Sequence, residues 1–93
     1  MMRHGEYKVP GGKLVVADLR VDDGLLADVR ISGDFFLEPP EALAAINAAL
    51  EGLDAEAGPQ VFANAVSSAL PDDVEMFGFS ADAVAITLER ALA

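Results

Sequence analysis

The chain has 93 residues, of which 53% are hydrophobic and 24% are charged, and its formal net charge is −10. A chain of this length has room for a single domain, residues 1–93, with one core. The negative charge disfavours binding to nucleic acid and to anionic membranes, because both rely on clustered lysine and arginine side chains.

Residue types that carry much of enzyme chemistry are scarce. The sequence has no cysteine and a single histidine, His4. Disulfides, thiolate metal sites and cysteine nucleophiles are therefore excluded, and a histidine-based metal site or catalytic triad has little to draw on. No apolar run approaches the roughly 18 residues of a membrane span, and the first residues lack the apolar core of a signal peptide, so we expect a cytoplasmic protein.

The charges are unevenly distributed along the chain. Residues 1–30 hold five acidic side chains and five basic ones, which are Arg3, Lys8, Lys13, Arg20 and Arg30. Residues 31–93 hold eleven acidic side chains and one basic one, Arg90. An anionic ligand would therefore be tolerated best near the balanced first part of the chain.

The first elements in chain order are strands. Residues 4–9 predict a short edge strand, which ends at the turn signal Pro10-Gly11-Gly12. From Gly11 to Phe36, apolar and charged residues alternate on both sides of Asp22-Asp23-Gly24, which predicts a β-hairpin. We expect one buried row on each strand: Val15, Ala17, Leu19 and Val21 on the first, and Ala27, Val29 and Ile31 on the second.

The register of the hairpin depends on its turn. A two-residue loop, Asp23-Gly24, would place Leu19 opposite Asp28 and mix the two faces. We therefore predict a three-residue loop, Asp22-Asp23-Gly24, with Gly24 in the left-handed conformation of a bulge. A register shifted by two residues is a close alternative, because it sets opposite charges against each other. Its pairs are Asp18 with Arg30 and Arg20 with Asp28.

Three helices follow the hairpin. The first is predicted after Pro39-Pro40 and ends at Gly52, the second runs from near Gly58-Pro59 to before Pro71, and the third follows the N-cap Ser80. Residues 74–79 are expected to form a loop. Apolar residues recur at helical spacing at Leu43, Ile46, Leu50, Phe62, Val66, Ala69, Leu70, Val84, Leu88 and Leu92. The segregation of strands from helices predicts an α+β fold, in which three helices cover one face of a small antiparallel sheet built on the hairpin.

Lys13 is the most informative candidate for a binding residue. It is one of two lysines, and it follows a glycine pair, Gly11-Gly12, that lets the backbone approach a ligand. Two interpretations stay open: a solvated lysine at the start of a strand, or a contact to an anionic group or a partner. The acidic pair Asp72-Asp73 is interpreted as solvated turn residues, because no calcium-type loop surrounds it.

Phe35 and Phe36 form the second candidate feature. Adjacent residues in a strand point to opposite faces, so Phe36 needs separate cover if Phe35 joins the core. We expect that cover to be helix packing at the end of the strand, and a partner surface is the alternative. The residues by themselves support a small binding or interaction module, and no catalytic constellation emerges.

Three motifs occur in order along the hairpin. They are Val9-Pro10-Gly11-Gly12-Lys13-Leu14-Val15, Val21-Asp22-Asp23-Gly24 and Ile31-Ser32-Gly33-Asp34-Phe35-Phe36. Together with the proline-rich entry into the next helix, they resemble the C-terminal or accessory domain of lipoate-protein ligases from Tyr7 to Leu53. Gly78-Phe79-Ser80 and the closing helix resemble the last helix of that family less distinctly.

The resemblance implies a non-catalytic accessory subunit of a two-chain lipoate-protein ligase, with a fold similar to the iron-sulfur scaffold and sulfur-acceptor proteins. In that family the catalytic subunit binds lipoate, ATP and magnesium, and the accessory domain is needed to form lipoyl-adenylate. This chain would then bind no cofactor or metal by itself, and the catalytic subunit would be its partner. The residues implied to lie near the partner or the adenylate are Gly11, Gly12, Lys13, Asp34 and Phe36.

Two other functions stay open. A lipoyl carrier would present a modified lysine at the tip of a hairpin, whereas the tip here is Asp22-Asp23-Gly24 and much of the chain is predicted to be helical. A free-standing small-molecule-binding or regulatory module, unrelated to lipoate, is the main alternative. Co-purification with a larger ligase-like chain would distinguish it from an accessory subunit.

Overall fold

Strands and helices fill most of residues 2–93, which are the residues that this computed structural model describes. Their order is β1 (Arg3–Lys8), β2 (Leu14–Asp22), β3 (Leu25–Gly33), β4 (Phe36–Glu38), α1 (Ala42–Leu50), α2 (Pro59–Ala69), β5 (Glu75–Phe77) and α3 (Ala81–Leu92). The predicted α+β class is confirmed, because three helices accompany antiparallel sheets.

The main sheet has three strands in the order β1-β2-β3, and all of its pairs are antiparallel. Its inner face is buried, as Val15, Ala17 and Leu19 of β2 show, whereas the residues between them are partly exposed. Helices α1 and α3 pack against this sheet, and α2 packs against both of them. The predicted N-terminal edge strand is confirmed as β1.

The hairpin turn differs from the prediction. Asp22 pairs with Leu25, so the loop contains two residues, Asp23 and Gly24, and the predicted three-residue loop is wrong. Both loop residues are left-handed, with φ of 52° at Asp23 and 78° at Gly24. Aspartate tolerates this conformation better than most residues, and a pair of positive φ values matches the right-handed twist of the strands.

A two-residue loop alone would place apolar residues of one strand opposite charged residues of the other. A β-bulge in β3 prevents this beyond the bulge. Arg20 pairs with Ala27 on one side of it and Asp18 pairs with Arg30 on the other, so two residues, Asp28 and Val29, lie opposite Leu19. Asp28 is the extra residue and has a left-handed φ of 51°. The insertion reverses the alternation of faces along the strand.

The bulge also decides which apolar residues enter the core. Leu26 is buried on the turn side, and Val29 and Ile31 are buried on the other side, whereas Ala27 is only half-buried. The prediction that Ala27 shares the buried row is therefore wrong. Beyond the bulge the strands have the alternative register, with Asp18 opposite Arg30, and at the bulge Arg20 Nε donates to Asp28 Oδ2 at 2.6 Å.

Helix α1 covers the outer edge of β3. The Glu51 carboxylate, at the end of the helix, accepts the backbone N–H groups of Asp28 at 3.1 Å and Val29 at 2.5 Å. One turn earlier, Asn47 Oδ1 accepts the N–H of Ile31 at 3.0 Å. Residues spaced by four on a helix lie on one face, so both acceptors reach the same strand. The edge is thereby closed to pairing with another strand at these positions.

Most of the helical core residues are where the spacing predicts them. Ile46, Leu50, Phe62, Val66, Val84 and Leu88 are fully buried, and Leu43, Ala69, Leu70 and Leu92 are half-buried. Ser80 is the predicted N-cap of α3, and its Oγ accepts the N–H of Ala83 at 3.1 Å. At the other end of α3, Arg3 Nη1 donates to Leu92 O at 3.2 Å, which ties the first strand to the last helix.

The segment 74–79, predicted to be a loop, contains strand β5. This strand pairs antiparallel with β4, with Phe36 opposite Phe77, Leu37 opposite Met76 and Glu38 opposite Glu75. We call this two-stranded unit the ribbon. The prediction is wrong because strands of three residues are too short to show a period-2 pattern.

Replacing Glu51 with alanine is expected to lower the free energy of unfolding by about 1–3 kcal/mol, because two backbone N–H groups lose a charged acceptor. The control is Glu56→Ala, in the connection that follows, where we expect a change within about 0.5 kcal/mol. Urea unfolding of the three proteins measures both values. Equal stabilities of the two variants would show that the Glu51 carboxylate does not hold the bulge.

Candidate functional site

The Pro-Gly-Gly segment forms a tight turn between β1 and β2. Gly12 N–H donates to Val9 O at 2.8 Å, and Gly11, with φ of 72°, occupies the position that a type II turn reserves for glycine. The Lys8 ammonium donates to Gly12 O at 2.6 Å. Lys8, which the sequence analysis did not single out, therefore stabilises the turn, while Lys13 follows it.

The turn packs against Gly78, directly after β5. Lys13 N–H donates to Gly78 O at 2.9 Å, and a Cβ on Gly12 would lie 2.7 Å from the same oxygen. A Cβ on Gly78 would overlap Lys13 Cγ, so only glycine at this position lets the lysine stem cross it. Lys13 is exposed, and among residues 2–93 its ammonium forms no ion pair.

The third predicted motif, Ile31-Ser32-Gly33-Asp34-Phe35-Phe36, ends at the ribbon. Asp34 is exposed, and its N–H donates to Leu14 O at 3.1 Å, next to Lys13 in the chain. Phe35 is half-buried and stacks on Phe79, with ring centroids 3.9 Å apart. Phe36 remains 69% exposed, so the helix cover expected for it is wrong. The alternative, a partner surface, stays a prediction.

These contacts bring the first and third predicted motifs to one end of the molecule. The turn residues Gly12 and Lys13 contact Gly78, and the preceding residue, Phe77, pairs with Phe36. The structure therefore brings the backbone segments that carry the five predicted site residues close together. These residues are Gly11, Gly12, Lys13, Asp34 and Phe36.

An apolar groove of about 620 Å³ opens beside the ribbon. Its lining residues are Phe35, Phe36, Leu37, Glu38, Pro40, Leu43 and Phe77. Of the five predicted site residues, Phe36 alone belongs to this lining. Phe77 was not among the predicted site residues, and its signal in the sequence was a large aromatic residue in a segment predicted to be a loop. The groove is suited to an apolar side chain or acyl chain and holds a single carboxylate, from Glu38.

Over residues 2–93 no group of three or more histidine, cysteine, aspartate or glutamate side chains is arranged to hold a metal ion. In the same part of the chain, every helix is too short or too polar to span a bilayer.

A titratable cluster lies on the outer face of the main sheet, away from the groove. His4 Nδ1 lies 2.6 Å from Asp18 Oδ1, and His4 Nε2 lies 2.6 Å from Glu6 Oε2. The doubly protonated ring can donate to both carboxylates, whereas the neutral ring can donate to one. The hydrogen bond to Asp18 and then the one to Glu6 raise the pKa of His4 above its ordinary value.

Because the folded-state pKa of His4 is raised, its contribution to stability is complete below about pH 6.5 and disappears as the pH rises through the folded-state pKa. The free energy of unfolding of His4→Gln should therefore fall furthest below that of the wild type near about pH 5.5 and approach it at higher pH. NMR titration of the imidazole measures the pKa directly. An inflection at or below that of a model histidine would show that the two contacts do not form in solution.

The fold and the surface define a small α+β domain with an apolar ribbon and a cationic turn at one end. The fold is similar to that of a chain in a solved structure of an archaeal lipoylation system, a bi-partite lipoate protein ligase and its E2 lipoyl domain from Thermoplasma acidophilum. The superposition has a TM-score of 0.74, with 23% sequence identity, and covers 95% of this chain and 94% of that chain. No protein-family model and no curated protein matches the sequence. At this identity the likeness shows a shared fold.

Proposed function

We propose that the chain is a non-catalytic accessory subunit of a two-chain lipoate-protein ligase, needed for ATP-dependent formation of lipoyl-adenylate by the catalytic subunit. The observation that carries the proposal is the fold match over 95% of the chain to a structure of a bi-partite lipoate protein ligase system. The three sequence motifs that resemble the accessory domain give separate support, because they depend on the residues and not on the fold.

That archaeal structure also contains an E2 lipoyl domain, so a carrier function is the other role to which the fold match could point. A carrier would present a lysine at a hairpin tip, but the tip of β2 and β3 is Asp23-Gly24. Both lysines lie at the opposite end of β2, where Lys8 is bonded to the turn. Two helices, α1 and α3, pack against the sheet, and α2 packs against both of them. These features favour a ligase component over a carrier.

In the proposed complex, lipoate, ATP and magnesium are bound by the catalytic subunit. This chain would act as a cap that excludes water from the reactive acyl-adenylate and completes the site by closing over it. Lys13 suits a contact with an anion or with the partner, because its ammonium is exposed and its backbone is fixed by Gly78. Gly11, Gly12, Asp34 and Phe36 would lie near the same interface.

The apolar groove is the observation that favours a second candidate function. A groove of about 620 Å³ is within the usual size range of small-molecule sites, so a free-standing binding or regulatory module is the alternative. Such a module would bind its ligand without a partner and would not co-purify with a ligase-like chain.

Reconstitution with the catalytic ligase chain of the same genome tests the proposal. We expect no pyrophosphate release from ATP and lipoate by this chain alone, and release when the two chains are combined, because adenylation needs both. Transfer from preformed lipoyl-adenylate should depend on this chain less. An acidic protein of similar size serves as the control. Pyrophosphate release by this chain alone, or no effect on the catalytic chain, would refute the proposal.

Lys13→Ala is expected to slow adenylation by the reconstituted pair, and Lys13→Glu to slow it further, since the glutamate adds an anion beside a phosphate. Transfer from preformed lipoyl-adenylate and thermal stability should hardly change. Arg30→Ala, on the outer face of the main sheet, is the matched control. The measurement is the adenylation rate at saturating accessory chain, together with the Kd of the pair.

The two measured quantities separate the roles of Lys13. A normal rate at saturation with a weaker Kd would make Lys13 a docking residue. Normal values of both would identify it as a solvated lysine.

A further inference from the structure

The outward side of the ribbon carries two cross-strand pairs. Side chains alternate along a strand, so Phe36 and Glu38 share one side of β4 while Leu37 between them is 8% exposed. Opposite them on β5 lie Phe77 and Glu75. We call these four residues, Phe36, Glu38, Glu75 and Phe77, the ribbon face.

The aromatic pair leaves a large apolar area in water. Phe36 is 69% exposed and Phe77 is 49% exposed, and both rings line the apolar groove. An exposed aromatic pair beside an apolar groove is a candidate interaction site. Aromatic side chains also contribute a disproportionate share of the binding energy at protein interfaces.

The acidic pair indicates the charge of a molecule that would bind to the ribbon face. Glu38 and Glu75 are directly opposite each other, and like charges in this arrangement are destabilising. All four ion pairs described over residues 2–93 involve His4 or Arg20, on the outer face of the main sheet. In that part of the chain no cation neutralises the two glutamates.

We infer that the ribbon face is the docking surface for the catalytic subunit, and that the occupant is a protein segment with a cationic side chain between apolar ones. Arginine suits the position best, because its planar guanidinium can donate to both carboxylates while its neighbours cover the two rings. The glutamates repel anionic surfaces and the carboxylate of a free fatty acid. The inference rests on the proposed function for the identity of the partner.

Calorimetric titration with the catalytic ligase chain tests the inference. Phe36→Ala should weaken the Kd by about tenfold or more, as expected for an aromatic anchor. The double variant Glu38→Gln/Glu75→Gln should weaken it by about fivefold or more and reduce its salt dependence. The double variant should nevertheless melt at or above the wild-type temperature, because it removes a repulsion. Misfolding would lower both stability and affinity.

The matched controls lie on other surfaces. Val61→Ala removes a 43% exposed apolar side chain from α2, and Glu56→Gln/Glu89→Gln removes two acidic charges outside the ribbon. Both controls should change the Kd by less than about twofold, as residues outside a binding hot spot do.

Each outcome has a distinct meaning. A wild-type chain that does not bind the catalytic chain overturns both the proposed function and this inference. Binding and adenylation with all variants at the wild-type Kd overturn the docking surface alone. Self-association that Phe36→Ala abolishes, or binding of octanoate by this chain alone that Phe36→Ala abolishes, would assign the face to a second copy or an acyl ligand and overturn the stated occupant.

Discussion

The fold depends on the hydrogen bonds that the backbone N–H groups of the bulge at Asp28 form. A residue inserted into β3 breaks the ladder to β2, and the strand needs other acceptors for its N–H groups there. The Glu51 carboxylate supplies two of them, at 3.1 and 2.5 Å from the backbone nitrogens. Because Glu51 ends α1, the same hydrogen bonds fix the helix against the strand. The bulge thereby determines which residues of β3 face the core and where helix α1 lies against the sheet.

A comparable dependence links the turn after β1 to the ribbon. Gly78 follows β5, and its carbonyl accepts the N–H of Lys13 while its Cα lies under the lysine stem. A change in the ribbon would therefore shift the base of Lys13, and a change in the turn would shift β5. The contacts of Gly78 therefore connect an apolar surface and an exposed cation at one end of the molecule.

The sequence predicted the elements whose signals are local. Pro10-Gly11-Gly12 specifies a turn, Ser80 specifies a helix start, and the spacing of Ile46 and Leu50 specifies a buried helix face. The bulge was missed because the partner of Asp28 is Glu51, 23 residues further along the chain, and no local pattern records it. Strand β5 was not predicted because it is stabilised by pairing with β4, which no local pattern in residues 75–77 shows. Phe36 was singled out, but its exposure depends on packing that the sequence does not display.

The contact between Arg3 and Leu92 has a practical consequence for protein engineering. It brings the two ends of the described chain together beside the hairpin tip, since Arg3 pairs with Leu19 near the far end of β2. Leu19 lies five positions after Leu14 in β2, a length of about 16 Å, and the ribbon lies beyond Leu14. An affinity tag, a fluorescent fusion or a tether to a chip that is joined by a linker beside Arg3 or Leu92 would therefore start at the opposite end of the main sheet from the groove.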